Sequence, residues 1–245
     1  MSAATAPIRA ISLDLDDTLW PMMPTLQAAG RNWPTGLASE PPRTATLMAT
    51  GERARIRKAL QALTRTGLMT WAGCVARCCS TRWRSPARTR HWPTRPTGFH
   101  AARQQVRLYP DVRVVLSRWA RDYRLIAISN GNADLDMIGL GGLFHVKQSA
   151  ALAGMPKPDP RIFALACEQA GVSAAQTLHI GDDWHLDVCA ARACGMRAAW
   201  ICRPDLKVKG PGDGAPDEAP FADLESIEQA LRAGHFDPAR PACDQ

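Results

Sequence analysis

A doubly wound α/β fold, a parallel sheet with helices on both faces, is the architecture this sequence predicts. Three observations predict it. Four short apolar runs with strand character alternate with segments of helical periodicity, and strands separated by helices pair in parallel. The helical segments are punctuated as helices prefer, with proline near the start of one and glycine at the close of two. Three of the strands end in polar or acidic residues. The crevice at the carboxyl ends of the strands is where such sheets place their chemistry.

Taken in order, "IRAISLDL" (8–15) reads as the first buried strand and ends in Asp14, Asp16 and Asp17. "DVRVVLSRWARDY" (111–123) follows as a helix, with Val114, Val115, Leu116 and Trp119 expected near one face. "YRLIAISN" (123–130) is the second strand, ending in Ser129 and Asn130. "PDPRIFALACEQAG" (158–171) is a helix opened by proline and closed by glycine. "QTLHIGD" (176–182) leads into Gly181, Asp182 and Asp183, with Asp187 a helical turn on. "HLDVCAARACG" (185–195) is a third helix, and "MRAAWIC" (196–202) the last strand. Residues 203–220 read as a loop, followed by a short helix around "LESIEQALRAG" and a frayed tail.

At 245 residues the chain can bury a full core, as one large domain or as one domain with a smaller insert. Hydrophobic residues make up 46%, yet no apolar run reaches the length of a membrane span. The first ten residues lack the layout of a secretory signal. The eight cysteines are irregularly spaced and form no CxxC pair, so free thiols in a reducing cytoplasm are expected.

The net charge of +7 conceals two regions of opposite character. Residues 18–110 hold 15 Lys/Arg against Glu40 and Glu52 alone, which leaves 15 basic and 21 acidic residues for the rest. No aspartate occurs between Asp17 and Asp111.

Three aspartates packed behind a buried strand raise one another's pKa unless a cation compensates. Carboxylates meeting at a strand edge form a hard oxygen site suited to Mg²⁺, which favours a few carboxylates, waters and a substrate phosphate. A carboxylate held ionised there is able to attack phosphorus. A second acid two residues on lies on the same side of an extended strand, placed for proton transfer.

These residues resemble the haloacid dehalogenase superfamily. "DLDDT" (14–18) looks like its DxDx(T/V) signature, and the later motifs follow in order: "AISNGN" with Ser129, "GMPKPDPRIF" with Lys157, and "IGDDWHLD" with Asp182, Asp183 and Asp187. The resemblance covers roughly residues 8–30 and 100–203 and implies a Rossmann-like core. It also implies a Mg²⁺-dependent hydrolase of phosphomonoesters. Asp14 is then the nucleophile and a metal ligand, and Asp16 the general acid/base with its main-chain carbonyl on the metal. Ser129 and Asn130 contact the phosphoryl group, Lys157 neutralises charge on it and on Asp14, and Asp182 binds Mg²⁺. Asp183 and Asp187 act through water or by holding Lys157.

Dehalogenase members typically lack an acid at the position of Asp16, so that residue favours phosphate over halide chemistry. "DLDDTLWP" and "SNGNADL" look most like small-metabolite phosphatases, acting on sugar phosphates, nucleotides or riboflavin-pathway intermediates. A small phosphorylated metabolite is the expected partner, while membrane and nucleic acid are not. A dehalogenase is the alternative enzyme, and a polyanion-binding protein using residues 77–95 the alternative outside enzymes. His179 reads as a packed core histidine and His185 as a surface residue. Trp20 reads either as a substrate contact or as packing beneath a cap.

The resemblance also implies a helical cap inserted after the first motif, spanning 22–105 between a core of 1–21 and 106–245. Residues 52–64 suit it, with Ile56, Leu60 and Leu63 at helical spacing. Residues 66–98 do not: six Arg, three Trp, three Cys and three Pro stand with no acid, no Lys and no Ile. Three origins fit that stretch: a basic surface with interleaved aromatics, a divergent or disordered cap loop, or a GC-rich segment displaced from its reading frame. A smaller displacement near 30–42 fits the third.

Overall fold

The computed structural model describes residues 6–25, 98–206 and 218–236. Among these residues five strands form one wholly parallel sheet: β1 (Ala10–Leu13), β2 (Arg124–Ser129), β3 (Val146–Ser149), β4 (Thr177–Gly181) and β5 (Arg197–Trp200). Their spatial order is β3-β2-β1-β4-β5. β1 is central, with Ser12 opposite both Ile126 of β2 and His179 of β4. The chain builds outward from β1 in one direction through β2 and β3, then in the other through β4 and β5. The strand order therefore reverses at β1, and such a reversal opens a crevice at the carboxyl end of the strand.

Alternation along each strand divides the side chains between two faces. On one face Ala10, Ile126, Ile128, Val146, Ala198 and Trp200 join a buried cluster with Ile162, Phe163, Ala166 and Cys167 of helix Pro160–Ala170. Residues of opposite parity, among them Ile11, Leu13, Leu125 and Ala127, are buried as well. Helix Val112–Asp122 packs on β2, and helix Leu224–Arg232 packs on that helix. The fold is thus the doubly wound α/β sheet expected, and each fully buried Leu or Ile contributes about 1.5–3 kcal/mol by its removal from water.

Several local expectations need correction. Val114 is 52% exposed, and the buried stripe of its helix is Val112, Val115, Leu116 and Trp119. Spacings of three, four and seven put those four on one side, whereas Val114 lies well around the helix. β3 is a fifth strand that went unpredicted: its sequence, VKQS, is polar, and its exposure alternates as an edge strand allows. The helix expected over 185–195 begins as a π-helical turn, Trp184–Cys189, before Ala190–Ala193 continues as α-helix.

The chain divides into two units, Met1–Pro21 with Arg107–Gln245, and Met22–Val106. Of the second, helix Gly98–Arg103 and a helical turn at 22–25 are described. The helix expected over 52–64, residues 66–97 of the anomalous stretch and most of the expected cap lie outside the described residues. So do residues 207–217 of the loop expected at 203–220. Among the described residues, no helix is long and apolar enough to cross a membrane. Cys167, Cys189, Cys194 and Cys202 are thiols rather than disulfides.

Candidate active site

The site forms where β1 and β4 end side by side. Asp14 leaves β1 with its N–H donating to the carbonyl of Ile180, 2.9 Å away, so the sheet ladder itself fixes its backbone. Parity puts Asp14 on the face of Ser12. There the amine of Lys157, itself buried, donates to Asp14 Oδ1 at 2.6 Å and to Asp187 Oδ1 at 2.5 Å.

Lys157 is held from behind by Asn130. The Asn130 side chain accepts from the Lys157 N–H at 2.7 Å and donates to the Lys157 carbonyl at 3.0 Å. The end of β2 thereby sets where the lysine's main chain lies. The neighbouring Ser129 is buried, and its Oγ accepts from the Gly131 N–H at 2.9 Å, which tightens the same turn.

Asp187 reaches the site because the chain turns sharply after β4. Asp183 caps that turn, accepting from the N–H groups of His185 and Leu186, both at 3.0 Å. The Asp183 N–H in turn donates to Asp187 Oδ2 at 3.1 Å. Behind Asp187 stands His179, fully buried, with Nε2 3.2 Å from Asp187 Oδ1 and Nδ1 2.7 Å from Ser12 Oγ. A buried ring facing an acceptor-only carboxylate donates from Nε2, which leaves Nδ1 to accept from the Ser12 hydroxyl. Burial lowers the His179 pKa, so the ring is neutral at neutral pH, although Asp187 opposes that shift.

The electrostatics are those of a site short of positive charge. One oxygen from each of Asp14, Asp182 and Asp187 lies within 4.8 Å of the others, all three residues being buried. Burial pushes the Asp14 carboxyl well above its usual range; Lys157 opposes this, while Asp187 and Asp182 add to it. Burial would likewise raise Asp187, but Lys157 and His179 together hold it below the usual carboxylate range. The same two carboxylates raise Lys157 against the pull of its own burial. A single ammonium among three carboxylates leaves room for a further cation, and oxygen-only donors suit a hard divalent ion.

Of the sequence-predicted residues, Asp14 and Asp187 meet at Lys157 and an oxygen of Asp182 lies within 4.8 Å of theirs, while Ser129, Asn130 and Asp183 build the turns that carry them. Asp16 is half-buried, and its carboxylate is not one of the three oxygens that gather. Its Oδ1 accepts from Trp20 Nε1 at 2.9 Å. His185 is exposed. Sequence reasoning passed over Ser12 and the polar role of His179. One signal for them was present: Ser12 and His179 are polar positions inside otherwise apolar strands, at the parity of Asp14.

A model of haloacid dehalogenase-like hydrolases matches residues 8–195. The chain belongs to that family. Over 115 residues it is 36% identical to the 5-amino-6-(5-phospho-D-ribitylamino)uracil phosphatase YigB of Escherichia coli K12, covering 44% of this chain and 48% of that one. Over 125 residues it is 32% identical to a phosphoserine phosphatase of Thermus thermophilus, covering 49% of each. The chain spans about half the length of the curated relatives it matches. Among solved structures, a 2-haloacid dehalogenase of Pseudomonas syringae pv. tomato DC3000 superposes with a TM-score of 0.63 at 27% identity, covering 92% of this chain and 99% of that one.

Proposed function

We propose that this hydrolase is a Mg²⁺-dependent phosphatase that hydrolyses a small phosphomonoester metabolite through an aspartyl-phosphate on Asp14. The observation that carries the reading is the bridging of Asp14 and Asp187 by Lys157, with Asp16 two residues beyond Asp14. Asp14, Asp182 and Asp187 would hold the ion, with the main-chain carbonyl of Asp16 beside them. A bound divalent cation would supply charge neutralisation for the phosphoryl oxygens and keep Asp14 ionised.

In the first half-reaction an Asp14 carboxylate oxygen bonds to phosphorus and the bond to the ester oxygen breaks. Asp16, as the carboxylic acid, gives that oxygen its proton, so the product leaves as an alcohol. Lys157 and the Ser129 hydroxyl neutralise and orient the phosphoryl oxygens. In the second half Asp16, now a carboxylate, removes a proton from water as its oxygen attacks phosphorus. The bond to Asp14 breaks and orthophosphate departs. Positioning and charge stabilisation are what phosphoryl transfer asks of a protein.

A second reading has a specific support, the 27% identity to a dehalogenase structure. Departure of a halide needs no proton, so Asp16 would be idle in that chemistry, and this favours the phosphatase. The test is phosphate release from a panel of phosphomonoesters, with and without Mg²⁺, for the wild type and Asp14→Asn. Release that requires both the metal and Asp14 is expected. Chloride release from 2-chloropropionate without phosphate release would overturn the reading in favour of the dehalogenase.

A further inference from the structure

We propose that Trp20 is a positioning residue that sets the Asp16 carboxyl for proton transfer through its indole N–H, an inference that rests on the phosphatase reading above. Trp20 is fully buried, yet its one polar side-chain atom points back along the chain and donates to Asp16 Oδ1 at 2.9 Å. The loop between the two residues is cinched at several points. The Asp17 N–H donates to the Trp20 carbonyl at 2.8 Å, and Asp16 and Trp20 form a bridge of β type. Asp17 adopts the left-handed region at φ 64°, the one non-glycine residue among those described to do so. That conformation costs free energy and persists only where its surroundings fix it. Farther on, Arg203 Nε donates to the Thr18 carbonyl at 3.0 Å, and the Tyr109 N–H to the Leu19 carbonyl at 3.0 Å.

The indole is therefore anchored by packing and by the main chain around it. A hydrogen bond from a fixed donor selects one rotamer of the carboxyl. It also commits Oδ1 as an acceptor, which directs the transferable proton to Oδ2. Proton donation to the leaving oxygen depends on that orientation, but attack by Asp14 does not. Trp20 should then matter in proportion to how much the leaving group needs a proton.

Trp20→Phe keeps an aromatic ring and removes the donor. The measurement is kcat/KM on one preparation for two substrates, an alkyl phosphomonoester and p-nitrophenyl phosphate, whose phenolate departs without a proton. The ratio between them cancels the folded fraction. We expect the alkyl value to fall about tenfold, a part of what general acid catalysis supplies, and the aryl value by less than about twofold. In the Asp16→Asn background Trp20→Phe should leave the ratio unchanged. If the Phe variant does not fold, 3-benzothienylalanine at position 20 keeps the bicyclic shape and replaces N–H by sulfur, and the same ratio is read.

Equal losses on both substrates, or a ratio that still shifts when Asp16 is Asn, would overturn the positioning role. A wild type that hydrolyses neither ester would sink the phosphatase reading and this inference with it. A wild type that hydrolyses both, with a ratio indifferent to the indole N–H, would sink the inference alone.

Discussion

Gly181 and Asp187 occupy one space: a Cβ built on Gly181 would overlap Cγ and Oδ2 of Asp187. The end of β4 is bare of a side chain so that the carboxylate from the next turn can lie against it. Asp187 has no ready retreat, because Lys157, His179 and the Asp183 N–H hold its two oxygens. Gly181→Ala is therefore expected to displace the carboxylate and not merely to crowd it. Overpacking of this kind costs about 1–3 kcal/mol, so a lowered Tm should accompany at least a tenfold fall in kcat/KM, on the order expected for a misplaced catalytic group. Thermal melting and steady-state kinetics on the purified variant check this, and near-wild-type activity would show that Asp187 is freer than its contacts imply.

The three carboxylates give metal binding a signature in stability. Mg²⁺ should raise the Tm, since a ligand that binds only the native state at a hundred times its Kd stabilises by about 2.7 kcal/mol. Asp182→Asn should act in two opposed ways. With one carboxylate fewer crowding Asp14, the metal-free variant should melt above the metal-free wild type, while the rise produced by Mg²⁺ shrinks or vanishes. Melting curves with EDTA and with Mg²⁺ distinguish the two effects. An undiminished Mg²⁺ response in the variant would remove Asp182 from the site.

The strands were legible because buried parallel strands are near-continuous apolar runs, and "RLIAIS" and "TLHIG" announce themselves on that ground. The polar and acidic strand ends were legible because three of them fall at one edge. What escaped had physical reasons. Among the described residues β3 pairs with β2 alone and alternates with Lys147, so it carries no apolar run to see. The π-helical turn at Trp184–Cys189 reads as ordinary helix, since one extra residue in a turn leaves no mark on composition. His179 meets Ser12 across 167 positions of sequence, and no periodicity encodes such a meeting. Its apolar neighbours indicate burial correctly and leave its two hydrogen bonds unseen. Trp20 posed the same problem: the sequence left substrate contact and packing both open, and the direction of its N–H is visible in neither reading.

The helix at Leu224–Arg232, which packs on helix Val112–Asp122, offers a pH test away from the site. Asp223 caps it, accepting from the Ser226 N–H at 2.7 Å. That backbone hydrogen bond, aided by the Ser226 side chain and Arg203, holds its carboxyl below the usual range against partial burial. A depressed folded pKa adds stability above the unfolded value, near about 3.9, and loses it as pH falls through the folded one. Asp223→Ala should thus cost about 0.5–2 kcal/mol at neutral pH, with the gap to wild type closing below about pH 4. Urea unfolding at a series of pH values reads this, and a gap independent of pH would mean that the cap acts through packing instead of charge.

Lys157→Met asks what the buried ammonium does. The variant keeps an unbranched side chain one heavy atom shorter, and the main-chain bonds to Asn130 need no lysine, so the backbone should stay in place. What it removes is the only cation bonded to Asp14 and Asp187 among the described residues. Breaking a buried ion pair by deleting one partner costs about 3–5 kcal/mol, because the other partner is left charged or must take up a proton. Two results should follow together. Turnover should fall by at least about a hundredfold, since a charge-stabilising contact to the phosphoryl group is lost. The Tm should fall as well, but Mg²⁺ should restore more of it than it adds to the wild type, because the ion then has more uncompensated carboxylate to neutralise. Melting temperatures of both proteins across a Mg²⁺ titration decide the matter. A smaller Mg²⁺ response in Lys157→Met would mean that the lysine helps to assemble the metal site, whereas a larger one means that lysine and metal share the task of holding three buried carboxylates apart.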